Sequence, residues 1–115
     1  MNKLYLTRHE QIDANEILYL QGERNYTSIH TTNRPKIMSS HTLGVLEARL
    51  DTSSFIRVSR GCVINTFYLS TYRHENNKLI IQLAGGQEFT ASRRRLKILQ
   101  SMFKKQRPEA LSWHK

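Results

Sequence analysis

The sequence predicts a mainly β domain with two short helices, and three observations carry that reading. Short runs rich in Ile, Leu, Tyr, Val and Thr recur between turn residues at the spacing of all-β domains. Apolar residues at helical spacing occur in only two places, residues 42–50 and from residue 92 onward. The 115 residues are 38% hydrophobic with five glycines and two prolines, which suits one modest core and excludes a disordered polymer or a membrane span.

The first clear strand covers residues 17–21. A polar cluster, Gly22-Glu23-Arg24-Asn25, then turns the chain into residues 26–31, where Tyr26, Ser28 and His30 alternate with Thr27, Ile29 and Thr31. This is a hairpin. Thr32-Asn33-Arg34 leads into residues 35–39, and Pro35 at the start of that run suits an edge strand. Thr42 is an acceptable N-cap for a short helix carrying Leu43, Leu46 and Leu50. Strand patterning resumes at 55–58 and continues in 69–74 and 79–83 around Glu75-Asn76-Asn77. Ala84-Gly85-Gly86-Gln87 turns into 88–91. The last helix starts after Ser92, whose hydroxyl is expected to accept a free backbone N–H. Leu96, Leu99, Met102 and Phe103 fall on one side of it, and Arg93, Arg94, Lys97, Lys104 and Lys105 on the other. Pro108 ends it, so residues 1–107 are expected to form one domain and 108–115 a flexible C-terminal tail.

Charge is unevenly distributed along this frame. The chain holds 18 basic and 9 acidic residues, a formal net charge of +9. Residues 1–88 are close to neutral, whereas residues 89–108 carry Arg93, Arg94, Arg95, Lys97, Lys104, Lys105 and Arg107 with no acid. A surface built for solubility mixes both signs. Positive charge concentrated at one end of a nearly neutral body points to a polyanion, with a solvated helix face as the plainer alternative. One cysteine, Cys62, allows no intramolecular disulfide, and Met1-Asn2-Lys3-Leu4-Tyr5-Leu6-Thr7-Arg8 lacks the apolar stretch of a signal peptide. A cytoplasmic protein is expected, with no membrane association.

Catalytic signatures are absent. Cys62 has no neighbouring signature of a nucleophile and reads as a buried structural cysteine. His9, His30, His41, His74 and His114 never recur at metal-ligand spacing, so no metal and no cofactor are expected. Gly85-Gly86 lacks the frame of a nucleotide-binding loop. Glu10, Asp13 and Glu16 read as a solvated loop before the first strong strand rather than a carboxylate pair. An enzyme is not expected.

Three stretches have the chemistry of a nucleic-acid surface. In Glu23-Arg24-Asn25-Tyr26-Thr27, Arg24 can reach phosphate while Asn25 and Thr27 can bond base edges, although turn formation alone also favours Asn25. From Arg57 to Asn65 the basic segment contains Ser59 and Arg60 beside Gly61, where a glycine lets the backbone approach a phosphate and an arginine can pair bidentately. Asn65 reads as structural, satisfying backbone groups at a bend. Ser92-Arg93-Arg94-Arg95 places three guanidiniums where a helix begins, a position in which cations are unfavourable by about 0.3–1 kcal/mol each unless an anion binds there.

These stretches, in this order, resemble the LytTR family of bacterial DNA-binding domains over about residues 16–103. The anchors are Glu16-Ile17-Leu18-Tyr19-Leu20 with Asn25-Tyr26-Thr27, Thr42-Leu43 through Leu50, Phe55-Ile56-Arg57-Val58 with Val63-Ile64-Asn65, and Ala91-Ser92-Arg93-Arg94 with Leu96-Lys97. The resemblance implies several small antiparallel sheets with short helices, not a helix-turn-helix. It also implies a transcription regulator whose loops read successive major grooves of direct-repeat duplex sites. Carried over by position, contacts would come from Thr27 and its neighbours Arg24 and Asn25, from Ser59 and Arg60, and from Arg93 or Arg94. The basic helix face adds Lys97 as a contact common to all sequences. Many members carry a histidine where this chain has Ser59 and a serine where it has Gly61. Members usually follow a receiver domain, for which 115 residues leave no space, so a stand-alone domain is expected. Its expected partners are double-stranded DNA, a second copy on an adjacent repeat, and RNA polymerase or a separate signalling protein. The alternatives are an RNA-binding module, with Tyr19, Tyr26 and Tyr72 stacking on bases, and a protein-interaction antagonist of another regulator.

Overall fold

A computed structural model describes residues 3–106, with side chains through residue 101. The expected tail, its Pro108 boundary and the side chains of Met102, Phe103, Lys104 and Lys105 lie outside the described residues. In chain order the strands are β1 (Lys3–Tyr5), β2 (Gln11–Asp13), β3 (Ile17–Glu23), β4 (Tyr26–Thr31) and β5 (Ile37–Ser39), followed by helix α1 (Leu43–Glu47). Then come β6 (Phe55–Ser59), β7 (Cys62–Asn65), β8 (Leu69–Glu75), β9 (Lys78–Leu83), β10 (Glu88–Thr90) and helix α2 (Leu96–Gln106). Single 3-10 turns at Ala14–Glu16, Thr66–Tyr68 and Arg93–Arg95 precede β3, β8 and α2. The strands form three antiparallel sheets, ordered β1-β2, β5-β4-β3-β7-β6 and β10-β9-β8. The expected mainly β architecture with two short helices is what the chain adopts.

Contacts divide the chain into two compact units, one running through Arg57 with Gly61–Phe67, the other containing Val58–Arg60 and the chain from Tyr68 onward. In the first unit, the β3–β4 hairpin pairs Leu20 with Ile29 and Gly22 with Thr27, and β3 also pairs with β7 through Leu20 and Val63. Leu20, Ile29 and Val63 are fully buried, and burying each aliphatic side chain stabilises the fold by about 1.5–3 kcal/mol. Leu43 and Leu46 of α1 join the same apolar cluster, as do Leu4 and Ile12, which pair across β1 and β2. β5, with Pro35 just before it, forms one edge of the five-stranded sheet, as a proline there predicts.

In the second unit, β8 and β9 are joined by Asn76-Asn77 at φ of 51° and 64°. Two successive positive φ values suit a tight two-residue turn of the I′ kind, and asparagine tolerates them. Tyr72, Leu79, Ile81 and Leu83 are buried, and Leu99 of α2 is 2% exposed. The Gln100 amide meets the His74 ring, joining α2 to β8.

Four local expectations are corrected. The acidic N-terminal segment is not a solvated loop: Ile12 pairs with Leu4, Asp13 accepts the Asn15 N–H at 3.0 Å, and Glu16 accepts from Arg34 at 3.1 Å. Strand β3 continues through Gly22 and Glu23, so the turn is only Arg24-Asn25. Thr42 sits at the N-cap position of α1, but its side chain makes no capping bond. Ser92 likewise makes no side-chain cap bond, and Arg93–Arg95 form a 3-10 turn ahead of the α-helix.

Candidate nucleic-acid interface

Arg24 and Asn25 occupy the tip of the β3–β4 hairpin, and both are exposed. Arg24 adopts a φ of 46°, a left-handed conformation that costs an L residue about 1–2 kcal/mol. Thr27 is a different matter. It is fully buried and donates its hydroxyl to the His41 carbonyl at 2.8 Å, so the sequence-based expectation that it touches a base is corrected. An extended strand alternates its side chains between faces, and Thr27 falls on the face turned towards α1 together with Ile29.

The second stretch splits in its chemistry. Arg57 is spent on a 2.5 Å ion pair with Glu47 of α1, and both side chains are largely shielded. Ser59 is half-buried at the end of β6, and Arg60 is exposed in the two-residue connection to β7. Gly61 does not have a positive φ, and a Cβ built on it would meet only the Gly22 carbonyl at an ordinary 3.8 Å. The fold therefore does not demand glycine beside Arg60. Cys62 is 6% exposed and burial pushes its thiol up to about 12, which leaves it protonated and a poor nucleophile at neutral pH. Asn65 is buried and structural: its amide donates to the Ile17 carbonyl at 2.9 Å, and its Oδ1 accepts the Phe67 N–H at 3.0 Å.

In the third stretch Arg93 and Arg94 are exposed and Arg95 is half-buried, on the 3-10 turn that runs into α2. Lys97 is exposed on the first turn of α2. The Ser92 N–H donates to the Val58 carbonyl at 3.0 Å. That bond is inside the second unit and brings the start of the arginine run beside the residue preceding Ser59. The second and third stretches, separated by about thirty residues in sequence, thus meet at the main chain.

Among the described residues, freedom from ion pairing separates Arg24, Arg93, Arg94 and Lys97 from Arg34, Arg57 and Arg73, and they share it with the exposed Lys3, Arg8, Lys36, Arg49 and Lys78. The ion pairs join Arg34 to Glu16, Arg57 to Glu47, and Arg73 to both Glu75 and Glu88. Arg24, Arg93, Arg94 and Lys97 take part in none of them. Sequence reasoning grouped Arg57 with the recognition stretch because a helix residue ten positions earlier gives no visible sign of pairing with a strand residue. It also missed Gly22 and His41, which hold the base of the first hairpin. Glycine inside a strand pattern was the available signal for a close backbone approach.

Of the three tyrosines named for base stacking, Tyr26 is exposed while Tyr72 and Tyr19 are already committed. Tyr72 is 1% exposed. Tyr19 already stacks on His30 at a centroid distance of 4.2 Å with the rings nearly parallel. His30 is held below the usual histidine range, first by burial and then by Lys36, against a smaller opposing pull from Glu23. Among the described residues, no helix is long and apolar enough to cross a membrane.

Comparison with known proteins agrees with this architecture. No curated protein matches the chain. A solved LytTr DNA-binding domain from Bacillus cereus superposes with a TM-score of 0.71 at 16% identity, covering 88% of this chain and 94% of that one; at that identity the likeness is one of fold. The family model described as the LytTr DNA-binding domain matches residues 7–104. With nearly the whole described chain matched, the protein belongs to the LytTR family of non-enzymatic, DNA-binding domains of transcription regulators.

Proposed function

We propose that this protein reads the sequence of double-stranded DNA, and that Arg24, Asn25, Ser59, Arg60, Arg93, Arg94 and Lys97 form its contact set. The observation that carries the reading is the placement of unpaired cations on the exposed hairpin tip and at the start of α2. Acidic side chains neutralise Arg34, Arg57 and Arg73, while Arg24, Arg93, Arg94 and Lys97 stand exposed outside every ion pair among the described residues. Unneutralised guanidiniums on turns suit phosphate oxygens and the acceptor edge of guanine. Thr27 is left out of the set because its hydroxyl is buried and committed. The loops engage successive major grooves, two copies occupy a direct repeat, and the protein acts in the cytoplasm without catalytic activity, through RNA polymerase or a separate signalling protein. Of Tyr19, Tyr26 and Tyr72, only Tyr26 stays exposed and outside the stacked Tyr19–His30 pair, which favours duplex over single-stranded RNA.

Selection from randomised duplex DNA, followed by anisotropy titrations of the winners across a salt series, tests this. The expected result is enrichment of two repeats spaced about one helical turn, ~10–10.5 bp. Arg60→Ala, Arg93→Ala and Arg94→Ala should each reduce discrimination by about 1–3 kcal/mol, whereas Lys97→Ala should weaken all sequences alike and lower the salt slope by about 1. Equal affinity for every duplex, or tighter binding to single-stranded RNA, would overturn the reading.

A further inference from the structure

The base of the first hairpin is held from three directions. Gly22 and Thr27 face each other across β3 and β4, with only the Glu23–Tyr26 pair between them and the Arg24-Asn25 tip. From one side, the Thr27 hydroxyl donates to the His41 carbonyl at 2.8 Å. His41 is itself fixed: its N–H donates to the Ser39 hydroxyl at 3.1 Å, and its Nε2–H donates to the Leu6 carbonyl at 2.8 Å. Next to it, Leu43 opens α1 and lies so close to Gly22 that an added Cβ would come within 3.1 Å of the Leu43 Cβ. From the third side, the Gly22 N–H donates to the Gly61 carbonyl at 2.9 Å, one step beyond the Gln21–Cys62 pair.

We propose that the Gly22–Thr27 pair is a positioning element for DNA recognition, clamped by His41, Leu43 and Gly61 so that the Arg24-Asn25 turn is presented in one fixed orientation. The inference rests on the DNA-reading function proposed above and adds to it residues that touch no DNA. A two-residue turn on a free hairpin would have to be ordered on binding, which lowers affinity, and ordering it beforehand removes that cost. Thr27 suits the task because its hydroxyl is fully desolvated, so the bond to His41 is not in competition with water. Gly22 suits it because a Cβ there would press on the Leu43 side chain at the start of α1.

The test uses Thr27→Val, which keeps the shape and removes the hydroxyl, and Thr27→Ser, which keeps the hydroxyl. Each is titrated against a duplex selected from randomised DNA and against a scrambled duplex of equal length, well below the melting temperature of each variant. Thr27→Val is expected to bind the selected duplex about five- to tenfold more weakly, the worth of one buried hydrogen bond. Its binding to the scrambled duplex and its salt slope should be unchanged, and Thr27→Ser should recover most of the loss. Hydrogen exchange of the Arg24, Asn25 and Tyr26 amides should accelerate in Thr27→Val relative to Thr27→Ser. A folded Thr27→Val with undiminished preference for the selected duplex, or an equal loss on both duplexes, would overturn the proposal. Should Thr27→Val not fold, Gly22→Ala presses on the same pair from the Leu43 side and is read in the same way. If the wild-type protein selects no duplex, the DNA-reading function itself fails, and unaccelerated exchange would then show that the clamp is absent as well.

Discussion

Two of this protein's two-residue turns, β8–β9 and β3–β4, reverse the chain with different residues. The β8–β9 turn uses Asn76-Asn77, both at positive φ, the conformation asparagine accepts most readily after glycine. The β3–β4 turn places an arginine at φ 46°, where an arginine gains nothing from the backbone. The β8–β9 turn is therefore built from residues suited to its backbone, whereas the β3–β4 turn holds an exposed guanidinium at a strained φ. On the proposed function, the strain kept at the Arg24 turn serves to present a charge that enters no ion pair among the described residues.

Core substitutions set the baseline for that comparison, with the largest expected effect. Ile29 in β4 and Ile81 in β9 are both fully buried, so Ile29→Ala and Ile81→Ala should each lose about 2–5 kcal/mol in urea denaturation. A loss well under that at either position would break the equivalence of the two hairpins as parts of the fold. Arg24→Gly comes next and should separate folding from function. It should weaken binding to a selected duplex about tenfold while raising stability by about 0.5–1 kcal/mol, because relief of the left-handed strain exceeds glycine's extra entropy in the unfolded chain. Lower stability together with unchanged binding would mean that Arg24 serves the turn. Asn77→Ala should do the reverse, costing about 1 kcal/mol of stability in thermal melts with no change in DNA affinity.

The smallest effect concerns His30, on the strand leaving the Arg24 turn. Burial and Lys36 hold its folded pKa below the usual histidine value. The unfolded chain therefore binds the proton more readily than the folded one, so stability is complete above about pH 6.5 and declines as pH falls towards the lowered value. His30→Phe should flatten that part of a stability-against-pH curve measured by denaturant melts, and the equivalent part should persist in an Asn77→Ala control. An unchanged curve in His30→Phe would assign the acid sensitivity to another group.

Much of the fold was readable from local pattern. Residues 26–31 alternate cleanly because one face of β4 meets the core, and β4 spans Tyr26–Thr31 as expected. Strands β1 and β2 escaped notice because three residues are too few for a period of two to emerge. Asn65 was recognised as structural from its apolar neighbours, and it does bridge the Ile17 carbonyl and the Phe67 N–H. Thr27 was misread because a threonine beside a polar turn looks the same whether its hydroxyl meets solvent or a distant carbonyl.

By itself the sequence determined the mainly β class, the hairpins, the basic end of the chain and the three stretches with recognition chemistry. Those properties follow from residue type and short-range spacing, which the chain carries whether folded or not. Tertiary structure alone decided which of these residues are available. It set Glu47 against Arg57, turned Thr27 inward to His41, pressed Leu43 onto Gly22, and joined Ser92 to Val58. Each of those contacts spans between 10 and 34 positions of sequence, and a long-range partner is fixed by how sheets and helices pack, which no local pattern encodes.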